Sequence, residues 1–190
     1  MHPEPRSTLP PGIHPAPRIE QGDLLIRRWQ RRDLFPRWAA ITASYDLLRP
    51  WWGDSLVELA TLEGQRRYAA KCELWPSTDG GYRYGIFDRD GALLGGINLH
   101  DRIGDGAIEL GYWCHTAHTG RGVITRAAAA LTDLARTLPG ITRVEIRCDV
   151  ANIRSAAVPR RLGFHLDRLG PRPRAAPADT GTQMYWIKQR

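Results

Sequence analysis

The stretch that most constrains the fold runs from residue 109 to residue 130 and reads ELGYWCHTAHTGRGVITRAAAA. It predicts a strand over 107–113, a polar loop that contains Gly120 and Gly122, and a helix that begins at Val123. Glycine lets a backbone approach a ligand closely, and the first amides of a helix have no intrahelical partners. Such a turn is typical of a phosphate site, although two glycines equally make an ordinary tight loop.

Three segments of the sequence together resemble a known enzyme family. They are GYW at 111–113, TGRGVITRAAAAL at 119–131 and RVEIRCDVANIRSAAVPRRLGF at 143–164. They resemble the GCN5-related N-acetyltransferases (GNAT), and within them the RimJ/RimL branch. The resemblance covers about 24–188 and implies a cytoplasmic acyltransferase that moves an acetyl group from acetyl-CoA directly to a primary amine in a ternary complex. The implied amine is a protein N-terminal α-amine or a small molecule.

The family signature for the acetyl-CoA pyrophosphate is Gln/Arg-x-x-Gly-x-Gly/Ala, which falls on 119–124. Gly122 agrees with the signature, whereas Thr119 and Ile124 depart from it at the two ends. Arg121 adds a cation near the expected pyrophosphate. The resemblance implies that the following residues bind acetyl-CoA: Trp113, Cys114, His115, Thr119, Gly120, Arg121, Gly122, Val123, Ile124, Thr125, Asn152 and Ser155. Arg126, Arg160 and Arg161 are further candidates for its phosphates.

Ser155 is the candidate acid. Most family members use a tyrosine at the position that Pro159 occupies here, but the RimL-like branch uses a serine three residues after the asparagine that caps the helix. Asn152 and Ser155 have that spacing, and a hydroxyl can donate a hydrogen bond to the departing thiolate. An ordinary serine of the first helical turn is the alternative.

The candidate bases are less well defined. The branch often carries a glutamate where this chain has Thr116, which cannot accept a proton. Glu109 in the strand is the first candidate, acting through a water, and His115 is the second because its intrinsic pKa is suitable. Water itself is the third. We interpret Cys114 as a small buried residue, since the family forms no acyl-enzyme.

The pattern of apolar residues and turn signals predicts an α+β fold. Strands are predicted at 24–29, 82–88, 92–100, 107–113, 142–149, 164–169 and 182–188. Asp33 is predicted to cap a helix that extends to about residue 45, and the segment LLRPWWGDS at 47–55 is predicted to be a break. One helix is predicted to follow this break as far as about residue 74. Later helices are predicted at 123–137 and 152–162. The resemblance implies the GNAT fold, a mostly antiparallel mixed sheet that splays at the CoA site and is flanked by helices. We expect residues 1–20 to be a flexible Pro-rich extension and 21–190 a single domain.

Composition restricts the compartment and the partners. No apolar run is long enough to cross a bilayer, and the N-terminus lacks the apolar region of a secretory signal. Three widely spaced cysteines predict neither disulfides nor a metal site. We therefore expect a cytoplasmic protein without a metal. The net charge of +7 comes from scattered arginines, so that nucleic acid is an improbable partner and the polyanionic CoA a suitable one.

Several alternatives stay open at this point. Thr116, Thr119 and Ile124 favour a degenerate member that binds an acyl-CoA or a partner protein without catalysis. A transferase of another acyl group, such as succinyl, and a homodimer are also open. Acceptor specificity is expected from the first two helices, from Trp51 and Trp52, and from a loop at 170–181 whose arginines, Arg172 and Arg174, favour an acidic acceptor.

Overall fold

The computed structural model describes residues 7–190, in which one eight-stranded sheet is flanked by helices. The strands are β1 (Arg18–Gln21), β2 (Leu24–Arg28), β3 (Gly81–Phe87), β4 (Leu93–Gly104), β5 (Ala107–Cys114), β6 (Arg143–Asp149), β7 (His165–Pro171) and β8 (Thr182–Gln189). The helices are α1 (Leu34–Ala43), α2 (Tyr45–Trp52), α3 (Asp54–Leu59), α4 (Leu62–Cys72), α5 (Val123–Thr137) and α6 (Ile153–Arg161). No helix in this part of the chain is both long and apolar enough to span a membrane.

The strand order is β1-β2-β3-β4-β5-β6-β8-β7, and each neighbouring pair is antiparallel except β5 and β6. The predicted α+β class and the antiparallel meander of β3, β4 and β5 are confirmed. Tight turns suffice to join antiparallel strands, whereas the parallel β5–β6 pair needs a crossover. Helix α5 is that crossover.

Strands β5 and β6 pair over only a short part of their length. Their register runs from Ala107 opposite Arg143 to Glu109 opposite Glu145 and then ends. Strand β6 continues to pair with β8 as far as Asp149. The sheet therefore has an opening between the second halves of β5 and β6, which we call the gap, and this is the splay that the family resemblance implies.

The two faces of the sheet have separate apolar cores. Side chains alternate between the faces of a strand, and those on one face of β4 and β5 pack against the buried alanines and leucine of α5. This core includes Ile97, Leu99, Ile108, Leu110, Ala127, Ala128 and Leu131. The opposite face is covered by the N-terminal helices, with a core that includes Trp29, Ile41, Leu48, Leu56, Phe87 and Trp113.

The predicted break at 47–55 is wrong at Pro50 and confirmed at Gly53. Residues Tyr45–Trp52 form α2 with Pro50 inside it, and the helix ends at Gly53, whose φ is 56°. Proline in a helix removes one backbone donor, but Leu48 is buried in the core of the N-terminal helices. Tertiary packing at this point outweighs the local preference.

The single helix predicted to extend to about residue 74 is also wrong, since α3 and α4 are separate. Thr61 caps α4, and its hydroxyl accepts a hydrogen bond from the N–H of Gly64 at 3.0 Å. The backbone of Glu58 passes so close to Gly64 that a Cβ there would collide with it. The sequence between α3 and α4 contains no helix-breaking signal as clear as a proline, so this sharp turn was not predicted.

Helix α1 begins at Leu34 as predicted, but the Asp33 side chain does not cap it. Its carboxylate accepts hydrogen bonds from Arg27, from Nη1 at 2.7 Å and Nη2 at 2.8 Å, and from the N–H of Gln30 at 2.7 Å. Both side chains are largely buried. Because two planar groups meet with two parallel hydrogen bonds, Asp33 fixes the entry to α1 against β2.

The packing of residues 7–20 differs from the predicted flexible extension, whose first six residues lie outside the described part of the chain. The Asp101 carboxylate accepts hydrogen bonds from the N–H groups of Thr8 at 2.6 Å and Leu9 at 3.0 Å, and from the Ser7 hydroxyl. Leu9 is buried in the α5 core. A buried carboxylate with several donors holds this segment against the sheet.

Candidate active site at the gap

The loop between β5 and α5 has two glycines with left-handed backbone geometry. The φ angles of Gly120 and Gly122 are 75° and 72°, a region that side chains other than glycine rarely adopt. A Cβ built on either glycine would meet no atom within 4 Å. These glycines are therefore not required by packing inside the protein, and the surface above them is open.

The backbone N–H groups that follow this loop are free. The first of them to bond within α5 is that of Arg126, which donates to Gly122 O at 3.0 Å. Those from residue 120 to residue 125 have no acceptor within residues 7–190. The N–H of Thr119 is not part of this set, since it donates to Thr116 O. Converging free donors at the positive end of a 15-residue helix form an anion site.

The arginines around the loop differ in their availability. Arg121 is exposed on the loop itself. Arg126 is paired with Asp23 in the turn between β1 and β2, and this guanidinium lowers the pKa of the Asp23 carboxyl. Arg160 lies over the ring of Trp186, with 5.3 Å from Cζ to the ring centroid. Of the predicted phosphate cations, Arg121 and Arg161 have no partner within residues 7–190, and Arg121 is the one that lies on the loop.

The backbone of β5 also presents free groups to the gap. Gly95 pairs with Cys114, and the N–H of His115 donates to Leu94 O at 2.9 Å. In an antiparallel ladder this register turns the peptide groups of Cys114, and of Tyr112 two residues earlier, away from β4. They face the gap, where β6 has diverged. The N–H of His115, and by the same alternation that of Trp113, instead bonds to β4, so these two N–H groups do not face the gap.

A cavity of about 270 Å³ fills the gap and reaches both faces of the sheet. We call it the cleft. On the α5 face its lining includes Tyr112 of β5, Cys148 of β6, and Asn152 and Ser155 at the start of α6. The cleft thus brings together the predicted asparagine and serine and places them beside the free backbone of β5.

Ser155 is held by its two neighbours in the cleft. Asn152 Oδ1 accepts a hydrogen bond from the N–H of Ser155 at 3.1 Å, which is the predicted helix cap. The Ser155 hydroxyl donates to the Tyr112 hydroxyl at 3.3 Å, and that hydroxyl donates to Ser155 O at 2.9 Å. Burial raises the pKa of Tyr112 well above its ordinary value, so the phenol stays protonated. Sequence reasoning missed Tyr112, although it is the centre of the GYW segment.

Neither predicted base lines the cleft. Glu109 Oε2 accepts a hydrogen bond from Arg102 Nη2 at 3.2 Å and lies 4.0 Å from Arg147 Nη1. His115 Nδ1 accepts from the N–H of Ala117 at 3.0 Å, and its ring contacts that of His118 edge-on at 5.3 Å. Burial and the neighbouring imidazole lower the pKa of His115. The acid candidate and the base candidates are therefore in different places.

Aromatic side chains line the cleft on the other face of the sheet. Trp51 and Trp52 of α2 and Trp113 of β5 contribute, and the rings of Trp52 and Trp113 meet edge to face with centroids 6.3 Å apart. Trp51 and Trp52, which the sequence predicts to contribute to acceptor specificity, thus line the cleft. Two of the three rings are half-buried and present apolar surface to the cavity.

The segment between β7 and β8 closes the same side of the cleft. Arg172 pairs with Asp179 at 3.3 Å, and Arg174 Nε donates to Thr180 O at 3.2 Å. Thr180 is fixed in turn by Asp149 of β6, which accepts from its N–H at 2.9 Å. Because both arginines already have partners inside their own loop, the prediction that they favour an acidic acceptor loses its basis.

The Cys114 thiol has no activating partner. Its sulfur lies 3.8 Å from Leu94 O, and burial raises the pKa of Cys114 to about 11. A thiol with so high a pKa is protonated at neutral pH and is a poor nucleophile. This agrees with its interpretation as a small, partly buried residue.

A larger cavity of about 530 Å³ lies at the outer part of the sheet, far from the gap in the strand order. Its arginines have internal partners. Arg27 bonds to Asp33, Arg31 bonds to Glu73, and Arg28 donates to the carbonyl oxygens at the end of α4. Because these cations have partners within the protein, size alone does not make this cavity the site.

Comparison with known proteins gives a consistent result. A family model described as an acetyltransferase (GNAT) domain matches residues 23–165. The chain is similar to the probable N-acetyltransferase YjcK of Bacillus subtilis (strain 168), with 29% identity over 140 residues that cover 72% of this chain and 70% of the relative.

Two solved structures share the fold. One is RimL, described as a ribosomal L7/L12 α-N-protein acetyltransferase in complex with coenzyme A. Its TM-score is 0.80 at 20% identity, over 90% of this chain and 97% of that chain. The other is Mycobacterium smegmatis RimJ in complex with CoA-disulfide. Its TM-score is 0.76 at 19% identity, over 93% of this chain and 90% of that chain.

Proposed function

Because the chain belongs to the GNAT acetyltransferase family, we propose that it transfers an acetyl group from acetyl-CoA directly to a primary amine. The observation that carries this proposal is the run of free N–H groups from residue 120 to residue 125, beside a gap that holds Ser155. The first feature suits a diphosphate and the second suits a thioester. Their adjacency favours a single ligand that has both.

In this proposal the coenzyme is bound mainly by backbone. The N–H groups of the loop and of the first turn of α5 bind the diphosphate, and Arg121 adds a positive charge. The free peptide groups of Tyr112 and Cys114 bind the pantetheine arm or the thioester oxygen, in place of the missing strand. Asn152 keeps the first turn of α6 in position at the other side of the arm.

The reaction needs one bond to form and one to break. The amine nitrogen attacks the thioester carbonyl carbon, a C–N bond forms, and the C–S bond breaks as sulfur takes the bonding electron pair. The amine loses a proton, and the thiolate gains one. We propose that the Ser155 hydroxyl turns its single proton from the Tyr112 hydroxyl to the sulfur when the substrates bind and so donates the hydrogen bond that stabilises this thiolate. Tyr112 holds Ser155 in position through its own hydrogen bond to Ser155 O. A backbone N–H at Cys114 is placed to stabilise the carbonyl oxygen.

The proton of the amine goes to water in this scheme. Glu109 is paired with arginine, and His115 has its Nδ1 occupied by a backbone N–H. Among residues 7–190, no free carboxylate or imidazole is therefore presented to the cleft to act directly. A neutral amine already carries its lone pair, so an acceptor with an ordinary α-amine pKa of about 7.7–8.0 needs little assistance.

We propose a protein N-terminal α-amine, or a small primary amine, as the acceptor. The name of RimL supports the former, since that protein is described as an α-N-protein acetyltransferase. A second candidate function, binding of an acyl-CoA without catalysis, is favoured by the absence of Glu109 and His115 from the cleft lining.

A two-step experiment tests the proposal. Calorimetric titration with acetyl-CoA measures binding, and a thiol-release assay then screens N-terminal peptides, polyamines and aminoglycosides. Succinyl-CoA in parallel tests the acyl group. A protein that does not bind acetyl-CoA contradicts the proposal. Binding without thiol release from either thioester, across the whole panel, supports the second candidate instead.

A further inference from the structure

Asn98 of β4 lines the cleft with an amide whose oxygen has no partner. Its Oδ1 is buried and accepts no hydrogen bond within residues 7–190. Buried side-chain oxygens nearly always have a donor, because leaving one without a partner is destabilising. A buried, unpartnered oxygen in a side chain that lines a ligand cavity is readily explained when the ligand supplies that donor.

The strand register explains why this side chain reaches the cleft. Asn98 lies opposite Gly111 of β5, on the face of the sheet that carries Trp113. Gly111 has no side chain, so β5 does not cover Asn98 on the side of the gap. Ser155 and Tyr112 lie on the other face. Asn98 is therefore across the opening from the group that we assign to the thiolate.

The charged groups on Asn98's side of the cleft already have partners. Arg147 donates to Glu145 Oε2 from Nη2 at 2.7 Å and from Nε at 3.0 Å. Arg172 pairs with Asp179, and the Asp149 carboxylate accepts from Thr180. No free carboxylate is therefore presented to a cationic ammonium on this side, among the residues that the structure describes.

His100 is the neighbour of Asn98 on the same face of β4. Its Nδ1 is also buried without a partner. Burial lowers the pKa of His100 to about 4, so the imidazole is neutral at physiological pH. Its Nε2 would lie 3.9 Å from a Cβ on Gly111. Asn98 thus has a neutral imidazole beside it on β4, and the charged side chain opposite it on β3, Arg83, is paired with Asp79 at 2.5 Å.

We propose that Asn98 binds the acceptor, with Oδ1 accepting an N–H of the reacting amino group. This inference rests on the proposed function and adds a specificity-determining residue to it. A primary amine has two N–H bonds, and fixing one of them on the far side of the gap leaves the nitrogen lone pair free to point through the gap. A neutral amide accepts from the neutral amine without stabilising the ammonium form. The site therefore selects the reactive protonation state.

Steady-state kinetics over a range of pH, with an acceptor found in the panel, test this inference. For Asn98→Ala we expect kcat/KM for the acceptor to fall on the order of 10-fold, as for loss of one hydrogen bond to a buried group, with unchanged acetyl-CoA affinity. For Asn98→Asp we expect the acidic limb of the pH profile of kcat, which reports the bound complex, to move to higher pH. A carboxylate stabilises the ammonium ion and so raises the pKa of the bound amine.

Thr132→Val is the matched control. Thr132 lies in α5 and carries another buried oxygen without a partner, but it does not line the cleft. This variant is expected to retain the wild-type pH profile and kcat/KM. Circular dichroism establishes that each variant folds, and Asn98→Ser replaces Asn98→Ala if the latter does not.

The outcomes separate this inference from the function on which it rests. An active enzyme in which Asn98→Ala keeps kcat/KM within about 2-fold of wild type, and Asn98→Asp does not move the acidic limb, overturns the role of Asn98 alone. A protein that binds no acetyl-CoA, or binds it and acetylates nothing, overturns both. Loss of kcat/KM together with the displaced limb supports the inference.

Discussion

The two sides of the gap present different kinds of group to a ligand. On the α5 side the donors are main-chain N–H groups of one loop, one helix turn and one strand, all within residues 112–125. On the opposite side the cleft is lined by side chains from α2, β4, β5, β6 and the segment between β7 and β8. Coenzyme binding on the first side would need mainly the correct backbone, with Ser155 and Tyr112 added for the reaction. The second side needs particular residues brought together from distant parts of the chain.

This difference has a consequence for what can vary. A backbone site tolerates changes of side chain as long as the glycines keep their geometry, so Thr119 and Ile124 can depart from the family signature without removing a donor. The side-chain half has no such tolerance. We therefore expect the two halves to respond differently to substitution.

The largest effect is expected at Gly122. The Gly122→Asp variant places a carboxylate beside the proposed diphosphate and a side chain at a φ of 72°. We expect the acetyl-CoA affinity to fall on the order of 100-fold, which corresponds to about 2.7 kcal/mol. Calorimetric titration measures this change.

Gly122→Asn is the isosteric control, because asparagine tolerates the left-handed region and carries no charge. It is expected to lose less than about 5-fold in affinity. Equal losses for the two variants would mean that volume, and not charge repulsion, determines binding at this loop. Normal affinity in both would contradict the assignment of the loop.

The next largest effect is expected at Ser155, which lines the cleft on the α5 side of the gap. Ser155→Ala removes the proposed donor to the thiolate but leaves the N–H that Asn152 accepts from. We expect kcat to fall about 10–100-fold, with acetyl-CoA affinity nearly unchanged. Tyr112→Phe keeps the ring and loses the hydroxyl, so a smaller loss of about 3-fold is expected. If Ser155→Ala had wild-type kcat, Ser155 would have only a structural role.

A smaller effect, confined to the acceptor side, is expected at Gly53. Its φ is 56°, and a Cβ there would collide with the Ala175 carbonyl of the segment between β7 and β8. In Gly53→Ala this segment must move, so the acceptor KM is expected to rise several-fold while acetyl-CoA binding persists. Gly22→Ala is the matched control, with a φ of 62° and no atom within 4 Å of its Cβ. Equal kinetics in the two variants would show that the contact has no role in acceptor binding.

The smallest effect is expected at His115. Burial and the neighbouring imidazole of His118 lower the pKa of His115, but this residue does not line the cleft. We expect His115→Ala to change kcat/KM by less than about 3-fold, with an acidic limb that still follows the pKa of the acceptor amine. Below that pKa the amine is protonated and the rate falls. Removal of the limb by this substitution would identify His115 as the base after all.

The sequence predicted the coenzyme half of the molecule well, for physical reasons. Strand β5, helices α5 and α6 and the Asn152 cap depend on short-range patterns such as glycine spacing, a cap and apolar periodicity. Ser155 could be proposed because it is three residues from Asn152. These relations survive in the folded chain because little else competes with them.

The acceptor half could not be predicted in the same way. Helix α2 forms around Pro50 because Leu48 is buried by distant residues, and no local signal carries that information. The sequence predicts Glu109 as a strand residue that is free to act as a base. It is the pairing register of the strands that brings Arg102 and Arg147 to its carboxylate. Tyr112 and Asn98 face the cleft because of strand pairing and divergence, which depend on tertiary structure.

Because β5 and β6 pair over only a short length, the sheet consists of two parts, which we call panels, joined along one line, which we call the seam. Each panel is continuous, but past Glu109 and Glu145 the amides that face the seam have no partner strand, and in the proposed complex a substrate takes its place. The thioester would then act as a structural member that completes the sheet. Deuterium uptake at Tyr112 and Cys114 should slow on its arrival, and tightening of the seam would link coenzyme binding to the shape of the acceptor side.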